Sequence, residues 1–199
     1  MCGITGFYSP ERKFSPSQLT EMNTLLSHRG PDAEGYFCEG IIGMAHKRLS
    51  ILDLSDNGNQ PMTSHNGRYV MVYNGEVYNY REIAAEIQKG STNQIVFKSS
   101  SDSEVILEAF VKWGTEFVHR LNGMFSIAIY DKRDEILWLF RDRLGVKPLF
   151  YYDNENDFLF ASELKSIRAI VGKKLKIAEQ AINQFLNLGF IPSPLTIYH

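Results

Sequence analysis

Four strand-length apolar runs in the second half of the chain, 124–130, 136–140, 149–152 and 158–161, lie so close together that little choice of topology remains. Turn material fills two of the gaps, at Lys132-Arg133-Asp134 and Asn154-Glu155-Asn156. Connections that short join antiparallel neighbours, because a parallel pair needs a crossover of a dozen residues or more. Ile4–Tyr8 reads as a short buried strand, and strand-like runs recur at 35–38, 41–48 and Tyr69–Tyr73. Helical spacing appears at 17–27, where Leu19, Met22, Leu25 and Leu26 share a face until His28-Arg29-Gly30-Pro31-Asp32 stops the helix. Tyr80–Lys89 is a second helix. Ser101-Asp102-Ser103-Glu104 matches a capping box and opens a third, with Ile106, Ala109, Phe110 and Trp113 facing a core. Helices at 163–170 and 178–187 follow, joined by the basic connector Gly172-Lys173-Lys174-Leu175-Lys176. Elements in this proportion predict α+β layers with antiparallel sheet as the main component.

A chain of 199 residues fits one domain with a substantial core. With 22% charged residues and a net charge of −2, it carries no electrostatic footprint for nucleic acid or for an anionic membrane surface. No apolar run approaches the ~18 residues of a membrane span, and MCGITGFYSPERK lacks the pattern of a secretory signal. Two cysteines, Cys2 and Cys38, offer neither a disulfide ladder nor a metal-ligand set, which fits a reduced, cytoplasmic setting. Asp53–Gly67, with three Asn, two Gly and one Pro, is a long polar loop. Such a segment is either a lid or binding loop, or a surface excursion.

Chemistry points first to Cys2. Only the initiator methionine precedes it, so removal of Met1 leaves a thiol and a free α-amine on one residue. That is a nucleophile with a built-in base. An α-amine titrates near ~7.7–8, against ~10.4 for lysine, so roughly a tenth or more is free to accept a proton at neutral pH. The competing reading is a small apolar residue that opens a strand. A thiol attacking a carbonyl needs donors where the oxygen turns negative, and Asn74-Gly75 could supply an amide side chain and an open backbone N–H. Asn-Gly between VMVY and EVYNY is equally a strong signal for a type I′ hairpin turn. Arg48, at the end of a strand, either clamps a carboxylate or is a surface charge. Asp102, in the first turn of a helix, complements the helix dipole whatever else it does, and Glu76 beside Asn-Gly has the same two readings. Cys38 is expected to be a packed thiol, and His28 and His46 to be structural.

Together these residues carry a specific resemblance. Cys2-Gly3-Ile4-x-Gly6-Phe7, His28-Arg29-Gly30-Pro31-Asp32, Arg48-Leu49-Ser50-Ile51, Tyr73-Asn74-Gly75-Glu76-x-Tyr78-Asn79 and Ser101-Asp102-x-Glu104-Val105 occur in that order. Gly123-Met124-Phe125, Arg141-Asp142-Arg143-x-Gly145-x-Lys147-Pro148-Leu149 and Ala161-Ser162-Glu163-x-Lys165 complete the series. The set resembles the N-terminal glutaminase domain of glutamine-hydrolysing asparagine synthetases, a class II glutamine amidotransferase. The resemblance runs from Cys2 to about Ile170.

It implies an N-terminal-nucleophile hydrolase αββα sandwich with two mainly antiparallel sheets between helical layers. It also implies roles by motif: Cys2 as nucleophile, its α-amine as proton shuttle, and Asn74 and Gly75 as the oxyanion hole. Arg48 takes the α-carboxylate of glutamine and Glu76 and Asp102 its α-ammonium, while Leu49, Ser50, Ile51 and Leu52 line the pocket. No metal or organic cofactor is expected in this half-reaction. ATP and Mg belong to a C-terminal synthetase domain with an SGG-x-DS-type loop, which does not occur in this sequence. The expected division is therefore 1–170 as the glutaminase domain and 171–199 as the lead-in to a synthetase domain absent from the chain. The partners implied are glutamine and that domain; a homodimer is left open. Related glutaminase domains that serve a sugar or another carboxylate acceptor remain an alternative, as does an inactive scaffold if Met1 is retained.

Overall fold

The computed structural model describes residues 1–89, 95–172 and 175–198. Two antiparallel sheets stack face to face. The first holds five strands in the order β2-β3-β1-β9-β8, formed by β1 (Gly3–Tyr8), β2 (Ala33–Glu39), β3 (Ile42–Arg48), β8 (Phe150–Asp153) and β9 (Phe158–Ala161). The second runs β4-β5-β6-β7, from β4 (Met62–Thr63), β5 (Tyr69–Val77), β6 (Gly123–Asp131) and β7 (Ile136–Arg141). Both short connections join antiparallel neighbours, β6 with β7 and β8 with β9, as their length requires.

Period-two alternation decides which layer each residue enters. Ile4, Ile42, Met44, Phe160, Val70, Val72, Ala128 and Tyr130 meet between the sheets. Phe7, Ala45 and Leu159, on the other face of the first sheet, pack against Leu19 and Met22 of α1 (Pro16–Thr24) and Ile167 and Val171 of α4 (Leu164–Val171). On the far side of the second sheet, Met71, Tyr73, Val77 and Phe125 pack against α2 (Tyr80–Gln88) and α3 (Asp102–Trp113). The layer order is thus helix, sheet, sheet, helix. A fifth helix, α5 (Glu179–Leu188), buries only Ala181 and leaves Phe185, Leu186 and Leu188 exposed. Among the described residues no helix is long and apolar enough to cross a membrane.

Several sequence expectations are corrected. The first helix stops at Thr24, and the chain reaches Gly30 through tight three-residue turns, Leu26 N to Asn23 O and Arg29 N to Leu26 O. Leu26 is nevertheless fully buried. Ser101-x-x-Glu104 does not close into a capping box, because Glu104 is drawn back to the N–H groups of Lys98 and Ser99 and to His65 Nε2. The box that does form is at Ser15 and Gln18. Cys38 is exposed, not packed: it lies on the solvent-facing side of edge strand β2. Of the basic connector, Lys173 and Lys174 lie outside the described residues.

Candidate active site

Asn74 and Gly75 are not a hairpin turn. Strand β5 runs straight through them, with Asn74 opposite Ser126 and Gly75 opposite Phe125 on β6. The other edge of β5 is covered by β4 only at Val70 and Met71, so from Tyr73 to Val77 that edge is open. Side chains and loops complete it. Tyr73 N donates to Gln60 Oε1 at 2.6 Å, and Val77 N to Asp102 Oδ2 at 2.9 Å. Phe125 turns both its N–H and its carbonyl away from β5, toward Asp142. Gly75 is therefore in a pair without mutual hydrogen bonds, and its N–H points to the open edge between those of Tyr73 and Val77. A Cβ here would lie 2.4 Å from Met124 O and 2.6 Å from the Tyr73 ring. Only glycine fits.

The same alternation sends the Asn74 side chain the other way, to the inter-sheet face shared with Val70 and Val72. On the facing sheet that side carries Ile4 and, two residues earlier, Cys2. Cys2 and Asn74 thus face each other across the gap at one end of the sandwich, in a cavity of about 380 Å³. Asn74 is 1% exposed, and its Nδ2 is buried with no hydrogen-bond partner among the described residues. A buried amide left unpaired costs about 1–3 kcal/mol. Such a group is either a defect or a donor kept for a ligand.

Cys2 is held from two sides, and the strand that follows it by a third contact. Arg29 Nε donates to its carbonyl at 2.9 Å, and Arg29 Nη1 pairs with Glu163 at 3.0 Å. Ser162 Oγ accepts from Ile4 N at 3.0 Å. The thiol lies 3.4 Å from Leu49 N and donates to Leu49 O at 3.6 Å. Burial pushes its pKa up, while the Leu49 contact and the nearby charges of the chain terminus, Arg48 and Lys147 pull it down. Asp32 accepts from Ser50 N at 2.7 Å and so fixes the bend that carries Leu49 past the thiol.

Arg48 is 7% exposed and borders the cavity, but its guanidinium is already engaged. Nη1 donates to Ser55 O at 2.7 Å and Asn59 Oδ1 at 2.8 Å, and Nη2 to Asp53 O. Three of five donors therefore hold the loop, which leaves two. The Asp53 carboxylate adds a second fastening: it accepts from Ser55 N and Oγ and from Ser100 N, and these bonds hold its pKa well below the usual carboxylate range. Asp53–Gly67 is thus a fastened segment containing a 3₁₀ turn and β4, with only part of its length exposed. Asp102 accepts from Tyr73 Oη at 2.6 Å as well as from Val77 N, while its burial raises its pKa. Glu76 borders the same cavity half-buried.

A family profile described as "glutamine amidotransferase domain" matches residues 1–199. The chain belongs to that family. The amidotransferase domain is 38% identical over its whole length to a putative glutamine-hydrolysing asparagine synthetase of Methanocaldococcus jannaschii, of which it spans 41%. It is also 43% identical, over 84% of its length, to asparagine synthetase 2 of Bacillus subtilis, of which it spans 22%. It therefore covers well under half of these relatives. Among solved structures, glutamine phosphoribosylpyrophosphate amidotransferase from B. subtilis superposes with a TM-score of 0.68 at 21% identity, over 86% of this chain and 44% of that one. That likeness shows the fold, the α+β sandwich expected from the motifs.

Of the residues expected in the site, the amidotransferase domain brings Cys2, Arg48, Leu49, Ile51, Leu52, Asn74, Gly75, Glu76 and Asp102 to one cavity. Ser50 is not on its wall; only its tie to Asp32 serves the site. Sequence reasoning missed Gln60, Tyr73 and Lys147, all of which border the cavity. Tyr73 and Lys147 stood inside quoted motifs, which was the available signal. Gln60 carried none. His46, expected to be structural, is buried and donates from Nε2 to Tyr73 O at 3.1 Å, and burial presses its pKa down to about 3. So low a pKa makes its imidazole a weak base, in keeping with the structural role expected of it.

Proposed function

We propose that this domain hydrolyses glutamine to glutamate and ammonia, with Cys2 as nucleophile once Met1 has been removed. The observation that carries the reading is the unpartnered buried Nδ2 of Asn74 beside the outward-pointing N–H of Gly75, in the cavity that holds the Cys2 thiol. In the first step the α-amine of Cys2 takes the thiol proton, and sulfur bonds to the side-chain amide carbon of glutamine. The oxygen that becomes negative is held by Asn74 Nδ2–H and Gly75 N–H. The ammonium returns its proton to the amide nitrogen, the C–N bond breaks, and ammonia leaves a γ-glutamyl thioester. Water, deprotonated by the same amine, then opens the thioester, and the proton returns to sulfur. The two free donors of Arg48 suit an α-carboxylate, and Glu76 and Asp102 suit an α-ammonium.

No step requires a metal or organic cofactor. ATP and magnesium would serve the synthetase half of the longer protein, and none of the steps above is routed through them. In the longer protein the ammonia serves an ATP-dependent amidation of the asparagine-synthetase type, and residues 171–199 are the lead-in to that domain. The exposed Phe185, Leu186 and Leu188 of α5 and the greater length of the relatives support this division. Two free thiols suit a reduced, cytoplasmic setting.

The test is glutaminase activity together with N-terminal mass. Chain lacking Met1 is expected to release ammonia from glutamine, and a glutamine-like electrophile is expected to label Cys2. Cys2→Ala abolishes both and keeps the fold. Undiminished hydrolysis by Cys2→Ala, or inactivity of fully processed protein, overturns the proposal.

A further inference from the structure

Lys147 is a buried cation that the mechanism above does not use. It is 5% exposed, it borders the Cys2 cavity, and it forms no salt bridge among the described residues. Among the described residues the one hydrogen-bond partner of its Nζ is Met1 Sδ at 3.3 Å. A thioether is a weak acceptor, and here it belongs to a residue that must leave before the site works.

The surrounding motif holds the backbone that carries this side chain. Arg141 Nε donates to Lys147 O at 2.8 Å, and Arg141 Nη2 to Gly145 O at 2.8 Å. Asp142 accepts from Lys147 N at 3.0 Å, from Val146 N at 2.9 Å and from Phe125 N at 3.2 Å. Burial opposes ionisation of Asp142, yet these backbone donors outweigh it and hold its carboxyl low. Gly145 turns the chain at φ +65°, and a Cβ there would lie 3.1 Å from the Arg141 guanidinium. The bonds to Gly145, Val146 and Lys147 thus fix the backbone from which Lys147 reaches into the cavity.

We propose that Lys147 is a positioning residue that acts electrostatically on Cys2, holding its α-amine neutral and its thiol ready to ionise. A like charge disfavours the ammonium form, and an opposite charge favours the thiolate, so both groups shift in the useful direction. Other charges face Cys2 from every element around it. Arg48 stands at the end of β3 with most of its donors on the loop, and Arg29 grips the Cys2 carbonyl while paired with Glu163. Glu76 and Asp102 lie on the substrate side, Asp102 bonded to Tyr73, and Asp53 is turned to Ser55 and Ser100. His46 is neutral. Lys147 is therefore the cation without an assigned anion or carbonyl acceptor among the described residues.

This inference deepens the glutaminase reading and rests on it, but its first test does not need turnover. In processed protein, iodoacetamide alkylation of Cys2 is followed against pH by peptide mass, with exposed Cys38 as internal reference. Lys147→Met is expected to move the Cys2 midpoint up by about one pH unit, the usual size of a neighbouring-charge effect. The rate near neutrality then falls roughly tenfold, converges with the parent at high pH, and leaves Cys38 unchanged. Lys147→Arg restores the parent midpoint. The acidic limb of kcat/KM for glutamine shifts in the same direction with KM little altered. A Lys147→Met profile that superposes on the parent, or a loss equal at every pH in a variant of unchanged Tm, overturns the proposal. Absence of glutaminase activity in the parent would sink the functional reading, whereas the alkylation profile would still decide the role of Lys147.

Discussion

Replacing Asn74 by leucine separates a waiting donor from a structural one. Asn74 Nδ2 is buried without a partner, and an unpaired buried donor costs about 1–3 kcal/mol. Leucine has nearly the same volume and no donor to satisfy, so the fold is expected to lose nothing and to gain about 1 kcal/mol. For a chain of this size that corresponds to a rise of about 2–4 °C in Tm. Turnover is expected to move the opposite way. Loss of one oxyanion donor typically costs ~10²–10³ in kcat, or about 2.7–4 kcal/mol of transition-state stabilisation. KM for glutamine changes little, because the contact strengthens only as the oxygen becomes negative. Thermal melts and steady-state ammonia release on the same preparation give both numbers. A Tm lowered by more than about 4 °C together with kcat within tenfold of the parent would mean that the amide serves the fold, and the oxyanion argument would fail.

Arg48→Ala removes the donors that hold Asp53 O, Ser55 O and Asn59 Oδ1. KM for glutamine is expected to rise roughly 10- to 150-fold from the lost charged contact, and amide exchange to quicken across 53–59; unchanged exchange would show that the loop does not depend on Arg48. Glu163 is held at about 2: burial opposes its ionisation, but Lys165, Arg29 and His28 outweigh that. Because its folded pKa lies below its ordinary value, the stability it contributes is present above about pH 4.5 and is lost as pH falls toward 2. Glu163→Gln is therefore expected to cost about 1–2 kcal/mol at neutral pH, after allowance for its partial exposure, and almost nothing near pH 2; a pH-independent difference in denaturant melts would refute the linkage. His46 has the same sign by a different route. Its folded pKa of about 3 means that the unfolded chain takes up the proton first, so stability falls with pH from about 6.5 downward. His46→Gln should make the slope of stability between pH 6 and 4 shallower by up to about 1.4 kcal/mol per pH unit, and an unaltered slope would show that His46 is not buried neutral.

The amino-acid order by itself determined the periodicities and the neighbours. Apolar residues at every second position and turns of three residues force antiparallel strands, and the helical runs at Leu19–Leu26 and Ile106–Phe110 had to cover a sheet. It also put a thiol at position 2, the residue on which the proposed nucleophilic chemistry rests. What it could not decide was how residues far apart divide their bonds. Asn74-Gly75 carries a turn signal in isolation, yet β6 supplies a partner strand on one edge, and Gln60 and Asp102 satisfy the other. The dipeptide therefore stays extended, with one N–H over. Glu104 had a local partner in Ser101, but Lys98, Ser99 and His65 offered more bonds. Arg48, read as a grip on substrate, is first a clamp on Asp53 and Ser55. Cys38 looked like any core thiol until β2 became the edge of its sheet. Lys147 stands in a motif that does not say where its side chain goes, and it borders the cavity at Cys2 only because Arg141 and Asp142 fold the turn back. Periodicity is written locally because it follows from backbone geometry, whereas the partners of polar groups are chosen by competition among all the donors and acceptors that folding brings within reach.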